Sequence, residues 1–396
     1  MIETGAANSW DSLWDRPWDA IVIGAGPAGA LAARELAGKG VRVLLVEKRR
    51  FPRGKVCGGC LNGRAMAVLD SVGLGSLVAD SGGIPLERFR LHFRRRCASI
   101  DLPVGAAVAR DRLDAELVAA AIGAGARFLP ETRAQVGAVL DGMRLVQLAG
   151  CGATREVRTR VLLVACGLSG SCSASTIPSR VRVARGSWIG AGCLIATVPS
   201  GYEEGTIFMA VARHGYVGVV RLADGSLNVA AAFQPERVRR LGSPAAAARG
   251  VLAEAGIPPI DELESARWEG TARLTRRTRP IAAERLFLLG DAAGYVEPFT
   301  GEGMTWALAS GQAIAPLALQ AIERWEPRLS VEWDAAHRRL VRSRQLVCRG
   351  VAAILHRPWL ARLGFEVIAR LPSAAGHILG QLNATPSFPE AHRPCL

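Results

Sequence analysis

The stretch that most constrains this chain lies between residues 20 and 47. Ala20-Ile21-Val22-Ile23 is an uninterrupted apolar run, the pattern of a strand buried on both faces. Ala28 to Gly38 reads as a helix and Val41 to Val46 as a second buried strand. Between the first strand and the helix stands Gly24-Ala25-Gly26-Pro27-Ala28-Gly29. In a β-α-β unit of about 30 residues, the first glycine permits the tight turn and the second lets backbone approach a pyrophosphate. The third lets helix and strand pack closely, and the helix N-terminus turns its free N–H groups, Ala28 among them, toward the phosphate charge. Glu47 ends the second strand where a carboxylate can accept a hydrogen bond from an adenosine ribose, with Lys48 and Arg49 directly after it. A glycine turn without a ligand leaves Glu47 unexplained. The unit therefore predicts a dinucleotide site.

A second block, far along the chain, decides which dinucleotide. Leu286-Phe287-Leu288-Leu289 is again a buried-strand run, and Gly290-Asp291-Ala292-Ala293-Gly294 places an aspartate just past its end. There Asp291 can hydrogen-bond a ribityl hydroxyl. Pro298, Gly301, Glu302 and Gly303 precede an alanine-rich helix that begins at about residue 301. A helix N-terminus aimed at the pyrimidine edge of a flavin stabilises the negative charge of its reduced form. The expected cofactor is FAD.

Gly24 to Glu47, taken with Gly290-Asp291-Ala292-Ala293 and Pro298-Phe299-Thr300-Gly301-Glu302-Gly303, resembles the single-component flavoprotein monooxygenases and the related geranylgeranyl reductases over roughly residues 18–320. The resemblance implies an α/β (α+β) architecture. An FAD-binding Rossmann-like domain of the glutathione-reductase type carries an inserted sheet-rich substrate domain and a C-terminal helical segment. The expected division is residues 1–75, 105–175 and 276–325 for the FAD-binding domain, 76–104 and 176–275 for the substrate sheet, and 326–396 for the helical segment. Val108-Ala109-Arg110-Asp111-Arg112-Leu113-Asp114 is similar to the family segment whose arginine lies against the cofactor, which makes Arg110 a cofactor contact. Phe51-Pro52-Arg53-Gly54-Lys55-Val56-Cys57-Gly58-Gly59-Cys60 is similar to the loop that, in the reductase-like branch, passes close to the isoalloxazine ring. Cys57 and Gly58 join the expected contacts on that ground. Cys57-x-x-Cys60 also has the spacing of a redox pair, although the resemblance accounts for Cys57-Gly58-Gly59 without Cys60. No second close Cys/His pair accompanies it, so no metal site is expected.

The chain also departs from its likeness. Where the monooxygenases carry an Asp-Gly pair tied to pyridine nucleotide, this sequence has Cys166-Gly167, which leaves NAD(P)H as the expected but open reductant. The aromatic–Trp–Phe–Pro run of geranylgeranyl reductases corresponds to His214-Gly215-Tyr216-Val217-Gly218-Val219-Val220-Arg221, which keeps Tyr216 and lacks the tryptophan and proline. Smaller residues there leave room for a bulkier substrate. The candidate catalytic side chains are Cys57, Tyr216 and His214. His214 is either an acid/base with a near-neutral pKa or, the more ordinary case, a histidine at a sheet edge. The implied activity is hydroxylation with O₂, through a flavin C4a-hydroperoxide, of an electron-rich, aromatic or polyketide-like hydrophobic molecule of secondary metabolism. The alternative is FAD-dependent reduction of a carbon–carbon double bond in a prenyl or lipid-like substrate.

Between residues 178 and 275 the pattern is rich in strands and turns, with Asp224-Gly225 marking a tight hairpin. The formal net charge of +14 raises the question of a polyanionic partner. With only Lys39, Lys48 and Lys55 as lysines, the excess is arginine scattered through an alanine-rich chain, as GC-rich codons produce. No nucleic-acid partner is expected. The nine cysteines form no evenly spaced framework, and a reducing cytoplasm fits them. No signal peptide is expected, nor any apolar run of about 18 residues that would span a membrane. Trp10, Trp14 and Trp18 share a four-residue spacing, suited to pinning an N-terminal arm. From His337 onward, basic residues beside an apolar stripe read either as a weak membrane-surface contact or, preferred, as a helix pair on the FAD domain with an arginine-rich outer face.

Overall fold

A computed structural model describes residues 14, 16–150, 152–168, 179–297, 299 and 301–371. Trp10, Pro298 and the chain beyond residue 371 lie outside the described residues. The first buried runs of the sequence form the centre of a parallel sheet. Trp18–Ile23 lies between Val43–Val46 and the far half of Ala153–Val164, with Arg127–Leu129 and Leu286–Leu288 outside them, all parallel. Strands with both faces covered must be apolar throughout, and Ile21, Val22, Leu44, Leu45, Leu162 and Leu163 are wholly buried. The helix Pro27–Ala37 covers one face with its small residues Ala30, Ala32 and Ala33. The near half of Ala153–Val164 runs on as an antiparallel ribbon with Met143–Gly150 and Arg133–Leu140.

The second layer is a seven-stranded sheet in the order Glu269–Arg273, Ile189–Ile195, Leu227–Phe233, Gly215–Arg221, Thr206–Ala212, Arg88–Phe93 and Arg96–Asp101. Neighbours run antiparallel except Thr206–Ala212 beside Arg88–Phe93. Alternation along each strand splits its faces. Phe208, Ala210, Val217, Val219, Val229 and Ala231 pack under the helix Pro244–Ala255. Met209, Val211, Tyr216 and Ala232 face the other way and share a cluster with Trp188, Tyr295 and Trp306.

Trp18 opens the first strand with Arg42 stacked 3.9 Å over its ring, and two expectations change. The long helix expected from about residue 301 is two, Gly303–Ala313 and Ala315–Glu323, joined at Ile314. Pro316 suits a first turn and not a helix interior. Arg328–His337 packs on the FAD side, where Trp333 Nε1 donates to the Leu288 carbonyl at 3.1 Å. The pair Ser343–Leu355 and Pro358–Arg370 leans instead on the second sheet, with Phe365 5.7 Å from Phe93 and Glu366 paired to Arg96.

Candidate functional site

Gly24 turns the chain at φ +103°, a conformation that L side chains rarely adopt. Helix and strand approach so closely that a Cβ on Gly29 would lie 1.9 Å from the Gly24 carbonyl oxygen. Gly26 caps the helix Pro27–Ala37 without any side-chain hydrogen bond, so the first-turn N–H groups, including that of Ala28, are left for a ligand. A Cβ on Gly26 would meet nothing nearer than Arg53 Nη2 at 3.7 Å. The turn thus opens onto a basic space at a helix N-terminus, which suits a pyrophosphate.

Glu47 is buried at the edge of that space. Its carboxylate accepts from the Ala25 N–H (3.1 Å), the Arg49 N–H (3.1 Å) and Arg53 Nη2 (3.2 Å). A carboxylate has about four acceptor positions, so capacity remains for a ribose hydroxyl. Lys48 and Arg49 are surface residues, and the Arg49 side chain turns to Glu269 at 3.5 Å. Arg53 was not anticipated as a site residue. Its guanidinium bridges Glu47 and Asp114 (2.9 Å), and Asp114 also receives Arg110 through Nε (3.1 Å) and Nη2 (2.9 Å). Nothing in sequence joins Arg53 to Asp114 across 61 positions. Burial works against the Arg110 charge, but Asp114 and Cys57 outweigh it and hold the guanidinium above its usual range.

The late block folds onto the early one. Gly290–Ala293 is a tight turn in which a Cβ on Gly290 would lie 3.0 Å from Ala28 Cβ. Asp291 is therefore set beside the first helical turn, paired with Lys55 Nζ at 3.4 Å. Gly167 lies at the same point, its Cβ direction 3.0 Å from Lys55 Nζ and 4.0 Å from Asp291 Oδ2. Gly301 and Gly303 lead into the helix Gly303–Ala313, with Gly301 facing the Cys60 carbonyl and Gly303 the Tyr295 ring. Glu302 is buried there. Burial raises its carboxyl pKa against the pull of Arg64 and Arg344, and its Oε2 has no hydrogen-bond partner among the described residues.

The Cys57 loop joins the two layers. Asn228 Nδ2, on the second sheet, donates to the Cys57 carbonyl at 2.9 Å. Gly59 has φ +69°, and a Cβ there would lie 3.1 Å from Asn228 Nδ2. The Cys57 thiol accepts from the Gly59 N–H at 3.5 Å and lies against Arg110. Gly58 has open space on its Cβ side. Cys57 and Cys60 are both free thiols, and burial, with Cys57 second, pushes Cys60 up to about 12. A thiol so hard to ionise is a poor redox partner. Opposite the loop, the sheet face is small and apolar: Gly192 approaches Val56, Gly218 lies under Met209, and Ala230 stands between them. Tyr216, Phe299 and Trp188 border this bed, the first two at 5.1 Å edge-to-face.

His214 is elsewhere. Its Nδ1 donates to Gln234 Oε1 (2.9 Å), and it lines an open surface groove of about 620 Å³ with Phe93, Arg94 and Trp359, which none of the residues around Gly24 or Asp291 lines. Among the described residues no His/Cys/Asp/Glu group could hold a metal ion, and no helix is long and apolar enough to cross a membrane.

A family model described as an FAD binding domain matches residues 18–315. Among curated proteins, the digeranylgeranylglycerophospholipid reductase of Methanospirillum hungatei is 26% identical over 321 residues, 78% of this chain and 77% of that protein. The menaquinone reductase of Mycobacterium tuberculosis is 28% identical over 319 residues, 76% of each. Among solved structures, p-nitrophenol 4-monooxygenase from Pseudomonas putida superposes with a TM-score of 0.75 at 16% identity, over 93% of this chain and 99% of that one. That likeness shows a shared fold.

Proposed function

The chain belongs to the FAD binding domain family and is an FAD-dependent oxidoreductase, and from that premise we propose that it reduces a carbon–carbon double bond in a prenylated, quinone-like or other apolar lipid. The observation that carries this is the clamp between the Asn228 amide and the Cys57 carbonyl. It fixes Cys57-Gly58-Gly59, the loop shared with the reductase-like branch, over a sheet face of small apolar residues. The two reductases matched over three quarters of their length support the same branch.

The chain's own groups have distinct tasks. The open helix N-terminus at Gly26–Gly29, with Arg53 beside it, holds the pyrophosphate, and Glu47 takes the adenosine ribose. Asp291 takes the ribityl chain, and the Gly301–Gly303 turn brings the helix Gly303–Ala313 to the ring. Bound FAD supplies the reducing equivalents. The bed of Gly192, Gly218 and Ala230 orients the apolar substrate and excludes water from it. The C-terminal helices carry an exposed apolar stripe beside Arg362 and Arg370, which supports a contact with an anionic lipid surface.

A second reading, hydroxylation of an aromatic ring, is favoured by one observation. Tyr216 and Phe299 meet edge-to-face at 5.1 Å beside Gly218, an aromatic border suited to a flat ring. One experiment separates the two. The enzyme, reduced in turn by NADH, NADPH or dithionite, is given menaquinone or a geranylgeranyl lipid without air, and then alkylphenols in air. A gain of two hydrogens without O₂ is the expected result. A gain of one oxygen matched by O₂ uptake, with no anaerobic product, would overturn the reductase in favour of the hydroxylase.

A further inference from the structure

Glu297 is a carboxylic side chain with no exposed surface, two residues before Phe299. Its backbone N–H is satisfied by Thr275 Oγ1 at 3.3 Å. Its carboxylate meets two titratable partners from different elements. His356, at the C-terminal end of the helix Ser343–Leu355, brings Nε2 to 3.2 Å of Oε2 and 3.4 Å of Oε1. Tyr216, on the second sheet, lies close enough to the same carboxylate for its phenol to feel that charge. The three differ in depth: the His356 side chain is 28% exposed, Glu297 not at all, and Tyr216 as a residue 6%.

Structural pairing alone would not call for this arrangement. A buried carboxylate needs hydrogen bonds, but backbone or hydroxyl donors satisfy it without a histidine that reaches water. The imidazole is also held in place: it stacks on Trp188 at 4.1 Å and 15°. The far end is placed as well, since Tyr216 packs edge-on to Phe299, inside the turn that leads to Gly301. Burial and then Glu297 raise the Tyr216 phenol well above its ordinary value, so it stays protonated and able to donate. Tyr295 and Cys348 are the other titratable groups that face Tyr216, and both add negative character on ionisation.

We propose that Tyr216, Glu297 and His356 form a proton relay between solvent and the apolar bed over which the substrate lies. The proposal rests on the reductase reading for the identity of the acceptor. Bound FAD would supply the hydride for one carbon of the double bond, and the phenolic proton of Tyr216 would go to the neighbouring carbon as the π bond breaks. The phenolate oxygen takes its proton back from the Glu297 carboxyl. Glu297 has received that proton from the imidazolium of His356, which is recharged from water. One hydride and one proton are consumed, and no charge is left inside.

Two measurements test the relay. The first uses nitrogen-edited NMR of His356 in the purified protein, with or without flavin. Glu297→Gln should move the His356 Nε2 resonance, because the carboxylate that meets this nitrogen is gone. The second follows double-bond reduction against pH. Glu297→Gln should slow it by roughly a hundredfold or more and abolish the wild-type pH profile. His356→Gln should be slowed less and be rescued by added imidazole, a response no purely structural role produces. An unmoved Nε2 resonance in Glu297→Gln, or an unchanged rate and pH profile, overturns the relay. A shifted Nε2 resonance in a protein that oxygenates its substrate would instead overturn the reductase and leave the proton path standing.

Discussion

Gly26 and Gly29 stand three residues apart and fail differently when given a side chain. The Cβ direction of Gly26 points into space, with only Arg53 Nη2 at 3.7 Å. Gly26→Val therefore folds, because an open position without strain changes stability by about 0.5 kcal/mol or less. Its isopropyl group fills the path of the pyrophosphate, and the flavin-to-protein ratio should fall at least tenfold by absorbance. Undiminished flavin in a folded Gly26→Val protein would refute this placement of the phosphates. Gly29→Ala meets the Gly24 carbonyl at 1.9 Å, which no rotamer relieves. The helix must shift off the strand, at a cost of roughly 1–3 kcal/mol, so denaturant unfolding should show the loss with or without flavin. What could be read ahead follows the same division. Gly24, Gly29 and Glu47 are visible because their spacing encodes a local turn and a strand length. Arg53 and Asp114 are not, since their ion pair is made only when the loop folds back on the helix Arg110–Gly123.

At the scale of elements, the helix Arg328–His337 gives the molecule an acid-sensitive joint. His337 closes that helix, is 7% exposed and packs edge-on to Trp333, with Nε2 unpartnered among the described residues. Burial, with the Arg342 charge and against Asp334, lowers its pKa to about 4. Folded protein thus keeps the imidazole neutral where unfolded chain, near 6.5, takes up a proton. Stability from this site is complete above about 6.5, falls as pH drops from there toward 4, and is then fully lost. The ceiling is ~3 kcal/mol, from about 1.4 kcal/mol per unit. Urea unfolding at pH 7 and pH 5 should show wild type losing more stability than His337→Phe, which keeps a ring against Trp333. Equal losses would show that His337 does not titrate in this window. Elements were legible wherever their signal is local. Gly215–Arg221 and Leu227–Phe233 pair as their alternation and the Asp224-Gly225 turn imply. The parallel pairing of Arg88–Phe93 with Thr206–Ala212 joins segments more than 100 residues apart, and no period in either strand encodes a partner at that distance.

Over the whole molecule, the C-terminal helices close the second sheet and leave a face with nothing against it among the described residues. Trp359, Leu363, Val367 and Leu371, spaced by four, are 67, 57, 53 and 58% exposed. Buried positions on the same helix are Ala361 and Phe365, which turn inward to the sheet. A stripe of this kind on a helix packed by its other side is an unusual expense in water. Arg357, Arg362 and Arg370 are exposed on the same helix or its cap, so a bilayer bearing anionic headgroups complements both features. A lipid substrate would then be met where it resides. Cosedimentation should find the protein on phosphatidylglycerol vesicles and far less on phosphatidylcholine vesicles. Arg362→Gln with Arg370→Gln removes two charges worth about 1 kcal/mol each and should weaken binding by roughly 30-fold. Raised salt should mimic that loss by screening. Trp359→Ser with Leu363→Ser should abolish binding at any salt while leaving turnover of a short, water-soluble substrate intact. If wild type ignores both kinds of vesicle, the stripe is not a lipid contact. If the serine variant loses soluble turnover too, the helix pair supports the sheet and not the membrane.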